Sequence, residues 1–152
     1  MDIKKLKTLR EKTGVSLSLC KKALEESNNN LEQAEKLLQI WGAQVLSKKA
    51  GATTSEGAIF SYVHHNKKVA SLVEIVCQTD FVAKNEDFQK LGQEIAMQIA
   101  STPAENIEQL LLQEYIRDPE KKIADLLNEA ALKFGENIKI TRFLRWYLGV
   151  NL

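Results

Sequence analysis

The sequence of 152 residues is poor in the residue types that mark several specialised classes of protein. It has two cysteines, Cys20 and Cys77, and neither belongs to a CxxC pair or lies near a histidine. We therefore interpret both as reduced, semi-buried thiols of a cytosolic protein. The sequence also has no apolar run of the roughly 20 residues that a membrane-spanning helix requires.

An excess of charge of either sign is also missing, because 21 Lys and Arg residues face 20 Asp and Glu residues. A protein that binds RNA or DNA usually has a strong basic excess, so we expect neither nucleic acid nor a membrane as a direct partner. The N-terminal stretch MDIKKLKTLREKTG has no apolar signal region and no small-residue cleavage site, which favours a cytoplasmic location.

Residue combinations that support catalysis are equally scarce. His64, His65 and Cys77 are the obvious candidates, and adjacent histidines on a strand would point to opposite faces, where they suit neither one metal ion nor one general base. The sequence has no GxxxxGK[ST] loop, so the chain itself is not expected to hydrolyse a nucleotide. We predict a protein that is not an enzyme and that needs no metal or cofactor.

Residues 1–42 contain three short amphipathic segments. Apolar residues recur at helical spacing from Ile3 onwards, and Thr13-Gly14 ends this first helix. Ser16 can cap a second helix over roughly residues 17–27, and a third helix is expected to end at Gly42. This pattern resembles a ubiquitin-associated-type bundle, a small fold that usually presents one apolar patch to a partner.

Residues 43–55 break the composition and predict a linker, although 44–49 could continue as a helix, and residues 56–152 predict an α+β core. Segments 58–64 and 69–78 are rich in Ile, Val, Tyr and Phe, which predicts a β-hairpin. Helical stripes follow at about 84–100 and 123–134, with cap-plus-proline helix starts at Thr102-Pro103 and Asp118-Pro119. Alternating apolar residues at 138–148 predict a last strand. The predicted core is a three-stranded antiparallel sheet packed with helices.

The second predicted strand is apolar on both faces. One face carries Val69, Val73, Ile75 and Cys77, and the other carries Ala70, Leu72 and Val76. Such a strand is covered on both sides, by helices or by another chain. A face without a cover inside the chain would favour a homodimer through the sheet.

The segment Gln78-Thr79-Asp80-Phe81-Val82 marks a point where a strand stops and a helix begins. Thr79 or Asp80 can satisfy the first free amides of that helix. The residues themselves allow two interpretations. One is a capped turn whose Phe81 and Val82 fold into the core. The other is an exposed carboxylate beside an exposed aromatic ring, which is typical of an interface anchor.

Four segments in matching order resemble the elongation factor Ts family. QTDFVAKN at 78–85 resembles the family signature, and the TG and CKKAL stretches at 13–14 and 20–24 resemble its N-terminal bundle. Lys48-Lys49-Ala50-Gly51 matches the family linker, and GENIKI followed by Arg142-Phe143 resembles its closing strand. The chain is similar to short family members with a single core unit, because the duplicated core and the helical-hairpin insertion of longer members are missing.

The resemblance implies a guanine nucleotide exchange factor in translation that binds the GDP form of elongation factor Tu and promotes GDP release. The TDFV segment of the family, here Thr79, Asp80, Phe81 and Val82, would reach the GTPase domain near its Mg²⁺ site. Phe81 would act as a wedge between helices of that domain. The alternative is an interaction module that binds elongation factor Tu or another partner without catalysing exchange.

The resemblance also implies a second contact, made by the N-terminal bundle. Family members often have two methionines where this chain has Leu17 and Ser18. Leu17 keeps the apolar character of that pair, whereas Ser18 does not. Leu17 could instead pack within its own bundle.

Overall fold

A computed structural model describes residues 2–150 of the chain. These residues form two compact units: a helical unit of residues 2–52 and 127–137, and a sheet unit of residues 53–126 and 138–150. The predicted α+β class is confirmed, with N-terminal helices followed by a three-stranded antiparallel sheet that packs against helices. No helix within residues 2–150 combines the length and the apolar character needed to cross a bilayer.

Three helices open the helical unit: α1 (Ile3–Thr13), α2 (Leu17–Glu26) and α3 (Leu31–Lys48). Each begins at a polar cap whose side chain accepts a hydrogen bond from a backbone amide of the first turn. These caps are Asp2, the predicted Ser16, and Asn30. Gly14 ends α1 in the left-handed region at φ 70°, as its sequence position predicted. The fully buried core of the bundle comprises Leu9, Val15, Cys20, Ala23, Leu24, Ala34 and Leu38.

The predicted end of the third helix at Gly42 is wrong, because α3 continues to Lys48. Gly42 is buried in the middle of the helix, where the backbone of Asn128 in the same unit passes so close that a Cβ would collide with it. The glycine therefore allows two backbones to approach each other and does not end the helix. Both cysteines are fully buried, where the sequence predicted partial burial.

The sheet unit contains β1 (Glu56–Val63), β2 (Val69–Cys77) and β5 (Lys139–Tyr147), with β2 in the centre and both pairings antiparallel. Its helices are α4 (Asp80–Ala83), α5 (Glu86–Ser101) and α6 (Ile107–Leu112). The helix α7 (Ile123–Phe134) follows a short hairpin of β3 (Glu114–Tyr115) and β4 (Asp118–Lys122). The inner face of the sheet packs against α5, where the rings of Phe60 and Phe88 have centroids 5.9 Å apart.

Two predicted helix starts are wrong. Thr102 and Pro103 lie in an irregular segment, and α6 begins later, with Asn106 as its cap. Asp118 and Pro119 begin the strand β4, and the Asp118 carboxylate accepts a hydrogen bond from the Glu120 amide. A side-chain oxygen followed by proline suits a turn into a hairpin as well as a helix start, so the motif alone does not choose between them.

The last strand contains an irregularity that the alternation did not predict. Ile140 pairs with Ile75, whereas the next pair is Arg142 with Glu74, so Thr141 is an extra residue on β5. This bulge reverses which positions face the core. Ile140, before the bulge, is buried, whereas Leu144, four residues later and after the bulge, is 40% exposed, and the half-buried positions there are Phe143 and Arg145.

Candidate functional site

The corner between β2 and α5 contains the predicted TDFV segment. β2 ends at Cys77, and the four-residue helix α4 begins at Asp80. The Thr79 side chain accepts a hydrogen bond from the Val82 amide, so the predicted cap is present. Thr79 is half-buried, and its role is to start the helix that carries the next two side chains.

The side chains of Phe81 and Val82 point in opposite directions. Val82 is 7% exposed and contributes to the core together with Ala83, whereas Phe81 is 85% exposed. The interpretation with both residues in the core therefore holds for Val82 only. Phe81 is the most exposed large apolar residue among residues 2–150.

A carboxylate accompanies the exposed ring. Asp80 precedes Phe81 and is exposed, and its Oδ2 lies 3.8 Å from the Nζ of Lys84 one turn later. Both side chains of this pair are well solvated, so the pair adds little to stability. The corner therefore presents an aromatic ring beside a hydrated carboxylate and a hydrated ammonium group.

Backbone and side-chain hydrogen bonds hold α4 in place. The Lys84 amide donates to the Asp80 carbonyl at 3.0 Å, and the Asn85 amide donates to the Val82 carbonyl at 3.0 Å. The Ala83 carbonyl accepts a hydrogen bond of 2.7 Å from the side-chain Nε2 of Gln89, which lies on α5. No local sequence pattern indicates Gln89, because this contact depends on where α4 stops and α5 starts.

The helical unit has its own exposed apolar residue at the predicted second contact. Leu17, the first residue of α2, is 48% exposed, so its packing inside the bundle is incomplete. Ser18 is also exposed. Leu17 lines an open groove together with Ile3, Leu6, Lys7, Arg10 and Glu11. The groove is lined by both apolar and charged side chains.

A third surface lies on the outer face of the sheet. Cross-strand partners share a face, and the sets Ser61–Leu72–Leu144 and Val63–Ala70–Trp146 run across all three strands. We call this surface the outer sheet face and define it by its exposed apolar residues Ile59, Val63, Leu72, Leu144 and Trp146. Trp146 is 72% exposed. The second face of β2 therefore has no cover within the sheet unit among residues 2–150.

One ion pair interrupts the outer sheet face. Arg142 Nη2 lies 3.1 Å from Glu74 Oε2, and the hydroxyl of Thr141 donates to the other Glu74 oxygen at 2.6 Å. The hydrogen bond from Thr141, followed by that from Arg142, holds the pKa of Glu74 below its ordinary value. Glu74 therefore stays ionised at neutral pH on a largely apolar surface.

The histidines do not occupy a strand, so the prediction that they point to opposite faces is wrong. β1 ends at Val63, and His64 and His65 lie in the following turn with ring centroids 4.2 Å apart. The hydroxyl of Tyr62 is hydrogen-bonded to Nδ1 of His64 at 2.9 Å. Within residues 2–150, no group of three or more His, Cys, Asp and Glu side chains is arranged to hold a metal ion.

Comparison with known proteins assigns the family. Residues 78–149, which include the corner, match the family model described as Elongation factor TS, and residues 1–51 match the one described as Elongation factor Ts, mitochondrial, N-terminal. The Elongation factor Ts of Thermosipho melanesiensis is 37% identical over 191 aligned positions, which cover 96% of this chain and 97% of that protein. The chain belongs to the elongation factor Ts family.

Other relatives agree with this assignment. The Elongation factor Ts of Nitratidesulfovibrio vulgaris is 40% identical, covering 95% of this chain and 94% of that protein. That of Thermotoga maritima is 37% identical with the same coverage. The Thermosipho alignment of 191 positions is longer than this chain of 152 residues, so this elongation factor Ts homologue lacks internal residues that its relative has.

Proposed function

We propose that the chain is a guanine nucleotide exchange factor, and not an enzyme, that binds the GDP form of elongation factor Tu and promotes GDP release. The exposed ring of Phe81 is the observation that carries this proposal. A ring exposed to this degree adds little to its own core, whereas burial in a partner would contribute roughly 1.5–3 kcal/mol. Membership of the elongation factor Ts family supports the choice of partner.

The proposed mechanism acts on the metal site of the partner. Tight GDP binding by a GTPase depends on Mg²⁺ and on a phosphate-binding loop. Phe81 would enter between helices of the GTPase domain, with Asp80 beside it, and displace the elements around the ion. Val82 would anchor the ring from inside the core, and Thr79 would fix the start of its helix. The binding of GDP to the GTPase is then weakened without direct contact between the exchange factor and the nucleotide.

The coupling between the exchange factor and the nucleotide must be reciprocal. If the factor lowers the affinity of elongation factor Tu for GDP, bound GDP lowers its affinity for the factor by the same free energy. Fresh GTP can therefore displace the factor and complete the cycle. This scheme requires no catalytic group or cofactor in the chain, and we propose that it operates in the cytoplasm without direct contact to nucleic acid.

We propose that the helical unit supplies a second contact through Leu17. The groove beside it offers apolar surface from Ile3 and Leu6 and is also lined by Lys7 and Arg10. Ser18 is exposed next to Leu17 and would lie at the edge of this contact, where it adds no apolar area. Contact through two separate surfaces would favour a single orientation of the partner.

The same family membership suits a second function, that of an interaction module which binds without catalysing exchange. The release of fluorescent mant-GDP from elongation factor Tu distinguishes the two functions. We expect the chain to accelerate release in a concentration-dependent and saturable way, relative to elongation factor Tu alone. Binding of the chain with an unchanged release rate would reject exchange and favour the interaction module.

We further propose that two copies of the chain pair through the outer sheet face. An exposed and largely apolar surface across three strands is unusual for a monomer. A second copy related by two-fold symmetry would place the same surface opposite itself, and each copy would cover the other. A light-scattering mass that stays that of a monomer at every protein concentration would rule out the pairing.

A further inference from the structure

We propose that Gln89 is a positioning residue for nucleotide exchange: its side-chain amide holds the end of α4 and thereby fixes the direction in which Phe81 points. The inference rests on the proposed exchange function. It concerns a residue outside the TDFV segment, on the next helix of the chain. Its basis is the set of hydrogen bonds at the corner.

A helix of four residues needs support from its surroundings. Isolated helices shorter than about 12–15 residues are marginal in water, because the first turn orders several residues for one hydrogen bond. Its terminal carbonyls also need partners from outside the helix. The orientation of α4, and therefore of Phe81, must come from contacts made by its neighbours.

The carbonyls of α4 and of its cap are bonded in sequence. At the start, the Thr79 carbonyl accepts from the Ala83 amide at 3.2 Å and from the Cys77 thiol at 3.3 Å. At the end, the Ala83 carbonyl accepts from Nε2 of Gln89 at 2.7 Å. This last bond is the shortest of the three, and its donor lies on a different helix.

Gln89 is well placed to connect the two helices. Its own backbone amide donates to the Asn85 carbonyl at 3.0 Å, so the residue lies in the regular first turns of α5. Its side chain reaches back six residues, past the interruption at Lys84 and Asn85. Val82 holds α4 from the core side, and Gln89 holds it from the side of α5.

The contact serves the corner more than the fold. Gln89 is exposed, and the large buried residues beneath α4 and α5, such as Phe88, do not depend on it. Removal of its side chain should therefore leave the protein folded and release the end of α4. Phe81 would then spend less time in the orientation that enters the partner.

The experiment compares substitutions at Gln89 with the same substitutions at Gln93, an exposed glutamine one turn further along α5 that lies outside this contact. For Gln89→Ala we expect the maximal mant-GDP release rate at saturating factor to fall about 2- to 12-fold, the range for one hydrogen bond. The factor concentration that gives half of that rate should change less than 2-fold, within the error of a typical titration. Gln93→Ala should match the wild type in both.

Two further substitutions separate the hydrogen bond from side-chain volume and charge. Gln89→Glu keeps the size but has no donor at neutral pH, so it should behave like Gln89→Ala, and Gln93→Glu controls for the added charge. Gln89→Lys restores a donor of similar reach and should recover most of the rate. Failure of the lysine variant to recover, or equal rates for Gln89→Ala and Gln93→Ala, would overturn the proposal.

A final readout does not require elongation factor Tu. Hydrogen exchange at the Ala83 and Lys84 amides should be faster in Gln89→Ala than in Gln93→Ala, because these amides close α4. Unchanged exchange would show that Gln89 does not hold the helix. If the wild type itself failed to accelerate GDP release, the proposed function would be rejected, whereas the amide exchange would still report on the contact.

Discussion

The Phe81 corner and the outer sheet face both expose apolar side chains of the sheet unit, and they are built in different ways. The corner presents one ring on a short helix that a threonine cap, a buried valine and a glutamine amide hold in place. The outer sheet face spreads five apolar residues over three strands, and each strand supports its neighbour through the sheet ladder.

The difference indicates what each surface can do. A single ring held in a fixed orientation offers little contact area. It can, however, enter one gap in a partner and displace the groups there. A broad flat face has area but no projecting group, which suits association with a similar flat face. Substitutions at the corner should therefore change the rate of GDP release, and substitutions at the outer sheet face should change the molar mass measured at equilibrium.

The largest effect is expected for Phe81→Ala. Losing a buried phenylalanine contact of roughly 1.5–3 kcal/mol would slow GDP release by about 10- to 150-fold if the contact acts on the opened state. The melting temperature and the light-scattering mass should stay those of the wild type. The measurement is the saturating rate of mant-GDP release.

Two controls sharpen this result. Leu112→Ala removes a different exposed apolar side chain of the same unit, 65% exposed, and should not change the release rate. Val82→Ala acts on the buried neighbour of Phe81 and should lower the melting temperature, because buried side-chain deletions leave cavities. A loss of folding in Phe81→Ala similar to that of Val82→Ala would contradict the assignment of the ring to a partner.

The next effect is expected at the outer sheet face. Trp146→Glu would place a carboxylate in the proposed dimer contact and should raise the dimer dissociation constant by about 30-fold or more, as for a hot-spot residue. Light scattering over a range of concentrations measures this change. Leu112→Glu introduces the same charge away from the outer sheet face and should leave the mass unchanged. Equal molar masses for both variants and the wild type would contradict the proposal that the outer sheet face is a dimer contact, and with it the contrast drawn between the two surfaces.

The smallest effect is expected in the helical unit. Leu17 is half-exposed, so Leu17→Ala should weaken binding to elongation factor Tu only about 2- to 5-fold, typical of a residue outside the centre of an interface. The saturating release rate should not change, because this surface does not reach the nucleotide in the proposed mechanism. Isothermal titration calorimetry measures the affinity of each variant for elongation factor Tu. The control is Ile40→Ala, since Ile40 is an exposed residue of the same unit outside the groove.

Much of the fold follows from local patterns in the sequence. The caps Ser16 and Thr79, the stop at Gly14 and the hairpin strands could be predicted because their signals lie within a few residues of the structure they determine. Gly42 could not, because its role depends on the backbone of Asn128, which is distant in sequence. The bulge at Thr141 could not be predicted either, because the register of β5 is set by its pairing with β2, which is distant in sequence.

The candidate site was predictable in part. The residues of the corner could be named from the sequence, but whether Phe81 pointed inward or outward depended on packing that no local pattern encodes. Its exposure separates it from Val82, which the same pattern treats alike. Gln89 could not be found, because its contact with Ala83 arises only when α4 and α5 are separate helices that meet at this point.

The most direct test places a photoreactive phenylalanine analogue at position 81 and irradiates the chain with elongation factor Tu and GDP. We expect a crosslink to the GTPase domain of elongation factor Tu from position 81, and none from the same analogue at position 112. The analogue at position 146 should crosslink to a second copy of the chain. If position 81 gave no crosslink to elongation factor Tu, or crosslinked only to another copy of the chain, the claim that this ring acts on a partner would be contradicted.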